Sequence, residues 1–425
     1  MSENVKLFGM EAEKGRWVLV IIGMIIQLCL GAIYSYSILN VPLQKYFTTL
    51  GLTVTATTMQ WPYIIFLLVF ALSMPLVGRY MEIYGPRKIT MIGGILTGLG
   101  WILASIASSP LILAINYGVI GGLGVGIAYG CPIAVSTRWF PDRRGLAVGL
   151  TVLGFGFSAA LIGPIADYLT TNYGGILSTF RIFGIAFLVI IAVLSTFLTF
   201  PPAGWHPKNW TAPTPKTKTL KLDFMRNEMV RTKSFIGLWT CYTIGTLAGL
   251  MAIGIAKPVG LEIAKAAGMA DIEASILMTN LIIPFAACNG FGRPLFGSIT
   301  DKLGPRNSAT LSFILIALSS SVLYLFPSSI IVYTLSFAIL WLCLGGWLAT
   351  APTATASYFG TKDYSRNYGL VFTAYGAGAV IGNLLATQVK DVFGAYIQVF
   401  PLVTGLAIVG IPIAALLFKP PKPTT

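Results

Sequence analysis

The sequence predicts an all-α membrane protein with twelve transmembrane helices arranged as two six-helix pseudo-repeats. Of its 425 residues, 56% are hydrophobic and only 10% are charged, whereas soluble globular chains carry about 25% charged residues. Apolar segments longer than about 18 residues, the length that a transmembrane helix requires, recur along the whole chain. Several short motifs of the first half also recur in the second half at a nearly constant spacing.

The apolar segments define the positions of the twelve helices. The predicted helices cover 17–39, 55–79, 88–107, 111–137, 145–169, 179–200, 234–259, 273–299, 307–326, 328–356, 367–390 and 395–418. The stretch 201–233 is rich in Pro and Lys, and it is the longest polar segment. We therefore predict a cytoplasmic N-terminus (1–16), an N-terminal bundle (17–200), a cytoplasmic linker (201–233), a C-terminal bundle (234–418) and a cytoplasmic tail (419–425).

The basic residues predict the orientation of these helices. An even number of spans places both termini on one side, and Lys and Arg concentrate on the cytoplasmic side of membrane proteins. With the termini inside, 22 of the 28 basic residues face the cytoplasm, 5 face the other side and Arg293 lies within the membrane. The net charge of +14 therefore reflects orientation in the cytoplasmic (inner) membrane, and we predict no nucleic-acid partner.

Two loops carry the clearest sign of an internal duplication. Residues 78–87 read Gly-x-x-x-Glu-x-x-Gly-Pro-Arg, and residues 297–306 repeat this pattern with Asp in place of Glu. The glycines permit close helix approach and a tight turn. The charged residues can pair across the cytoplasmic face and hold one conformation. We predict a conformational latch formed by Glu82, Arg87, Asp301 and Arg306.

Arg293 is the residue that most strongly indicates a function. It precedes Asp301 by eight residues, which places it about 12 Å inside the membrane at helical rise. A guanidinium at that depth costs roughly 2.5–3.5 kcal/mol. No Asp or Glu lies at comparable depth in the predicted helices, so we expect a small organic anion to be the partner and the chain to be its carrier. The alternative is an arginine that bonds to backbone carbonyls or extends to the cytoplasmic end.

The residues that would surround this anion follow from helical spacing. Asn289 lies one turn before Arg293 on the same face, where its amide can assist a carboxylate bound in bidentate fashion by the guanidinium. Aromatic and polar residues of three other helices can complete the site, although each tyrosine alone could equally be a packing residue. The predicted substrate-binding residues are Arg293, Asn289, Tyr34, Tyr129, Tyr375, Phe372 and Gln27.

Other polar residues give weaker indications. Asp167, near the outer end of the fifth helix, is the candidate for proton coupling, while Lys257 and Lys390 are expected to extend to the membrane interface. The five cysteines are scattered singly, so we predict no metal site and no disulfide. We find no nucleophile–base set or phosphate-binding loop, so an enzyme is not expected and no cofactor is predicted. We expect a monomer.

The duplicated loops resemble the signature of the major facilitator superfamily, and the likeness covers the whole chain. The stretches Gly-Val-Gly-Ile-Ala-Tyr-Gly (124–130), Arg-Trp-Phe-Pro-Asp-Arg-Arg-Gly (138–145) and Ser-Arg-Asn-Tyr-Gly (365–369) resemble the oxalate:formate antiporter group, which is close to the proton-coupled monocarboxylate transporters. This resemblance supports Tyr34 and Tyr129 as site residues. It implies alternating access of the two halves, with proton symport as the family-based expectation.

This chain departs from those groups at three places. Asn289 stands where monocarboxylate transporters typically have Asp, and Tyr375 stands where the oxalate carrier has a lysine. The first helix also lacks the lysine found in mammalian-type monocarboxylate carriers. One buried positive charge suits one carboxylate, so we predict a transporter of lactate- or pyruvate-like monocarboxylates. The alternatives are an exchanger of the oxalate:formate type and a receptor that binds without transport.

Overall fold

The computed structural model describes residues 5–202, 204–208, 224–360 and 363–421, without the side chains at positions 79, 82, 144, 145 and 365. Within these residues, eleven helices are long and apolar enough to cross a membrane. The predicted third segment forms the second arm of the helix Ala56–Ala104, which bends at Gly85. Counting the two arms, 56–84 and 86–104, as separate spans confirms the twelve-helix prediction.

We number the twelve helices in chain order, and each half contains six of them. The first six are α1 (Ala12–Thr49), α2 (56–84), α3 (86–104), α4 (Pro110–Trp139), α5 (Arg144–Asn172) and α6 (Gly175–Ser195). The second six are α7 (Lys233–Ala266), α8 (Asp271–Leu303), α9 (Pro305–Leu325), α10 (Ile330–Phe359), α11 (Tyr364–Phe393) and α12 (Tyr396–Leu416). A hairpin of β1 (Lys6–Leu7) and β2 (Met10–Glu11) precedes α1.

Helix α1 begins five residues earlier than its sequence indicates, because its charged first turns have partners. Arg16 is buried and donates to both carboxylate oxygens of Asp142, at 2.6 and 2.9 Å, and to the carbonyl of Trp139 at 3.0 Å. Partial burial opposes ionisation of Asp142, but the hydrogen bonds and charge of Arg16 outweigh it and lower the pKa of this carboxyl. The start of α1 is thereby fastened to the loop between α4 and α5.

The two duplicated loops have the same backbone conformation. Gly85 has φ +79° and ψ 163°, and Gly304 has φ +81° and ψ 158°. This combination is open almost only to glycine. A proline follows each glycine at the start of α3 and α9, where its missing N–H costs no helical hydrogen bond. The structural repeat therefore matches the sequence repeat.

The halves meet mainly along two helix pairs, α5 with α8 and α2 with α11. Helices α5 and α8 run antiparallel. The backbone carbonyl of Val152 lies opposite Arg293, and Gly156 lies opposite Asn289. Further along, Asp167 lies opposite Thr279. Glycine makes this approach possible, because a Cβ added to Gly156 would lie 2.8 Å from Oδ1 of Asn289. The α5–α8 pair therefore brings backbone of one half against polar side chains of the other.

Polar contacts join the halves at the far end of the bundle, meaning the end away from the chain termini. Lys257 of α7 donates to Asp167 of α5 at 3.1 Å and to Thr279 of α8 at 2.8 Å. Asp391, at the end of α11, accepts from the amides of Ala56 and Thr57 at 2.9 and 3.1 Å and so caps the start of α2. Both contacts connect the N-terminal half with the C-terminal half.

The expectation that Lys257 extends to the membrane interface is wrong. The side chain of Lys257 is only 3% exposed and forms its ion pair between the halves. Lys390 pairs with Glu262, so that this second ion pair joins α11 to α7 within the C-terminal half. Each partner lies far away in the sequence, so helical spacing gives no sign of it.

Candidate functional site

The guanidinium of Arg293 lies at the contact between α8 and α5. The residue is 3% exposed, and its Nη1 donates to the carbonyl of Val152 in the opposite half at 2.7 Å. Its Nε is buried and has no hydrogen-bond partner. Among the ion pairs of the described residues, none includes Arg293. A buried cation with only neutral partners retains a strong demand for an anion.

Asn289 connects Arg293 to α10, another helix of the same half. Its Nδ2 donates to the carbonyl of Trp341 in α10 at 3.1 Å, and its Oδ1 accepts a long hydrogen bond of 3.5 Å from Arg293. Gly345 of α10 packs directly on the Asn289 backbone, since a Cβ there would lie 2.0 Å from the Asn289 carbonyl oxygen. In this conformation the amide orients Arg293, and its role toward a substrate remains a prediction.

Aromatic rings from five helices form a buried cluster beside Arg293, which we call the aromatic box. Four of its residues, Tyr34, Tyr129, Phe372 and Tyr375, were predicted from the sequence. The hydroxyls of Tyr34 and Tyr375 are hydrogen-bonded at 2.9 Å, which links α1 of one half to α11 of the other. The rings of Phe372 and Tyr375 stack with centroids 4.8 Å apart. The box thus contains rings from both halves.

Two further residues of the box, Phe70 of α2 and Phe155 of α5, were missed by the sequence analysis. Phe155 lies edge-on to both Tyr34 and Tyr129, with centroids 5.1 and 5.2 Å apart, and its ring centroid is 5.9 Å from Cζ of Arg293. Both residues lie in helices that are apolar on nearly every face, so periodicity could not show which rings point inward. The only sequence signal was the Gly-Phe-Gly pattern at 154–156.

Gln27 lies in α1, two turns before Tyr34, and contacts the backbone of a site residue. Its Nε2 donates to the backbone carbonyl of Tyr129 at 2.8 Å, while its Oε1 is buried without a hydrogen-bond partner. This contact fixes the position of α4, and with it the ring of Tyr129, relative to α1. A direct contact between Gln27 and a substrate remains a prediction.

The predicted latch residues lie outside this centre, in the duplicated loops. The Nε of Arg87 donates to the carbonyl of Leu198 at the end of α6, at 3.2 Å. Asp301 and Arg306 are exposed, and the ion pairs among the described side chains include neither of them. The side chain of Glu82 falls outside the described residues. The latch therefore remains a prediction.

Two six-helix halves that meet around a buried arginine are an arrangement typical of secondary membrane transporters. The sequence matches the family model of the Major Facilitator Superfamily over residues 23–259 and 242–425. The chain belongs to the Major Facilitator Superfamily and is a multi-pass membrane transporter.

Relatives and solved structures agree with this assignment. The chain is 28% identical over 384 residues to the oxalate:formate antiporter of Oxalobacter formigenes, covering 89% of this chain and 86% of that protein. It is 25% identical over 374 residues to apicoplast pyruvate carrier 1 of Toxoplasma gondii, covering 76% and 68%. A bacterial homolog of the human lysosomal transporter Spinster, in an inward-facing and occupied conformation, shares the fold with a TM-score of 0.68 at 16% identity, covering 95% of each chain.

Proposed function

We propose that this protein carries small monocarboxylates across the cytoplasmic membrane by alternating access, with the carboxylate bound to Arg293. The observation behind the proposal is the buried guanidinium, whose partners include the carbonyl of Val152 and the amide oxygen of Asn289. A carboxylate would replace these neutral acceptors with a charge-assisted, bidentate pair. Both termini would lie in the cytoplasm, and the protein would work as a monomer.

The surroundings of Arg293 favour one carboxylate over two. Tyr375 lies in the box at the place where the resemblance implies a lysine in the oxalate carrier, and its hydroxyl bonds to Tyr34. A second carboxylate would therefore find only phenol groups and rings. Desolvating an unpaired carboxylate costs several kcal/mol. The relatives that are named for pyruvate and for oxalate and formate support a small organic anion in general, and the charge balance favours a monocarboxylate.

Uptake into proteoliposomes tests this substrate class. We expect labelled lactate or pyruvate to accumulate, and oxalate to compete at least about tenfold more weakly, because each 1.4 kcal/mol of lost binding is a factor of ten. Tyr375→Lys should strengthen competition by oxalate, whereas Tyr375→Phe should not. Strong oxalate competition in the parent protein contradicts the charge argument. Binding without accumulation would instead indicate the receptor alternative.

Proton symport is the coupling that we propose. A proton that enters with each monocarboxylate makes the transported charge zero, so an inward proton gradient should drive accumulation. The proton could travel on the substrate or on Asp167, the partner of Lys257 between the halves. Asp167 remains the candidate for this role.

Exchange of one anion for another is the second candidate, and the neutral partners of Arg293 favour it. When the site is empty, the guanidinium has no carboxylate among the described residues to balance its charge. When the empty protein reorients, the uncompensated charge of Arg293 must pass through a state of low dielectric, which is costly. In the protein loaded with an anion, the site around Arg293 has no net charge. Counterflow that is much faster than net uptake, with no response to a pH gradient, would establish exchange and rule out symport.

Asn289→Asp is expected to link binding to pH. An aspartate one turn from Arg293 would be ionised at neutral pH and would compete with the substrate for the guanidinium. The KM should therefore rise at neutral pH, by about tenfold for 1.4 kcal/mol of competition, and should fall again as acid protonates the new carboxylate. Asn289→Leu is the control, since it removes the amide without adding a charge. If the parent and both variants have the same dependence of KM on pH, Asn289 does not belong to the binding site.

A further inference from the structure

Phe70 contacts four of the five other rings of the aromatic box, although the proposed mechanism does not use it. It is 1% exposed, and it contacts rings of three other helices. Its centroid lies 5.2 Å from Tyr129, 6.0 Å from Phe155, 5.4 Å from Phe372 and 5.7 Å from Tyr375. Phe155 and Tyr129 separate it from Arg293. A tail on a molecule anchored at Arg293 by its carboxylate therefore meets Phe155 and Tyr129 first, and Phe70 limits how far these two rings can move aside.

The backbone of Phe70 has no room to retreat from such a tail. On one side, a Cβ added to Gly126 of α4 would lie only 2.8 Å from the Phe70 carbonyl oxygen. On the other side, a Cβ added to Gly376 of α11 would lie 2.8 Å from the Cβ of Ala71. Helix α2 is thus held between α4 and α11 at the level of this ring. Closely packed protein interiors resist displacement of their side chains, so we expect the Phe70 ring to keep its position when a substrate binds.

We propose that Phe70 determines substrate size, by limiting the tail attached to the carboxylate carbon to a short aliphatic group. This inference rests on the proposed function and refines its substrate class. Tyr129, Tyr375 and Phe372 surround the same space, but two of them also offer hydroxyls, and Phe372 stacks on Tyr375. The Phe70 side chain fills space but has no hydrogen-bonding group. Shortening it should therefore enlarge the site without removing any polar contact to the anion.

The test compares uptake of two labelled 2-oxo acids, pyruvate and α-ketoisocaproate, which differ in the length and branching of the tail. In Phe70→Ala we expect the ratio of α-ketoisocaproate to pyruvate uptake to rise at least about tenfold, as expected for 1.4 kcal/mol of relieved steric conflict. Phe70→Leu should give a smaller rise, and it decides the outcome if the alanine variant does not insert.

Phe180→Ala is the matched control, because Phe180 is a fully buried ring of the same half that packs on Trp101 and Tyr117 outside the box. The ratio of α-ketoisocaproate to pyruvate uptake in Phe180→Ala should equal that of the parent, even if this variant is less stable. An unchanged ratio in the inserted Phe70 variants, or an equal rise in Phe180→Ala, overturns the size role while leaving monocarboxylate transport intact. A parent protein that takes up neither acid overturns the proposed function and this inference together.

Discussion

Replacing Arg293 by lysine or alanine is expected to reduce monocarboxylate uptake at least about 100-fold, while the protein still inserts and folds. Removing one partner of a buried, hydrogen-bonded charge pair costs roughly 3–5 kcal/mol, and each 1.4 kcal/mol is a factor of ten. Lysine keeps the charge but loses the planar fork that can bind a carboxylate in bidentate fashion. The measurement is initial uptake of labelled lactate into proteoliposomes.

Arg181 provides the control for charge loss. It lies exposed in α6, so Arg181→Ala removes one positive charge without touching the site. Uptake by this variant should stay within about twofold of the parent, because exposed charges contribute little. Uptake at the parental rate in Arg293→Ala would show that the anion binds elsewhere.

Breaking the ion pair between Asp167 and Lys257 is expected to have the second-largest effect. Lys257 is almost fully buried, and besides Asp167 it bonds only to the hydroxyl of Thr279 among the described contacts. The far end of the bundle must open and close in every alternating-access cycle, so this pair must break and form each time. In Asp167→Asn the closed state loses its ionic contact, and we expect uptake to fall at least about tenfold, equivalent to 1.4 kcal/mol.

The pair of Glu262 and Lys390 serves as the matched control. It joins α7 to α11 within one half, so Glu262→Gln should lower thermal stability without reducing the rate of exchange between the two sides. The exchanged pair, Asp167→Lys with Lys257→Asp, should recover most of the uptake lost in Asp167→Asn. If the exchanged pair stays inactive and Asp167→Asn loses proton-driven accumulation alone, Asp167 acts as a proton carrier and not as a contact between the halves.

The sequence was sufficient for the fold because membrane helices are encoded locally. Hydropathy located the helices, and the repeated loops at 78–87 and 297–306 established the two halves. The start of α1 was missed, since charged residues such as Arg16 normally end an apolar segment. Only the structure shows that Asp142, more than a hundred residues later, balances that charge.

The site was predictable only in part, for a related physical reason. Arg293 was evident because a buried charge is costly wherever it points. Rings are not costly in a membrane, so Phe70 and Phe155 gave no comparable signal. The partner of Lys257 could not be found either, since nothing local in the sequence specifies which helix of the opposite half will face it.

The neutral surroundings of Arg293 also determine which step of the cycle responds to membrane voltage. Buried aromatic rings, among them Phe155, pack beside the guanidinium, so part of the membrane's electric field would fall across this low-dielectric region. When the site opens to water on one side of the membrane and closes on the other, the position of Arg293 within the electric field changes. The charge of Arg293 therefore crosses part of the field although the side chain itself moves little. In exchange, a bound monoanion would cancel this charge and the loaded step would be electrically silent, whereas in proton symport the accompanying proton restores one positive charge to the loaded carrier. The empty step would transfer one positive charge, at about 2.3 kcal/mol per 100 mV, so in symport voltage acts oppositely on the loaded and the empty steps and cancels over the cycle.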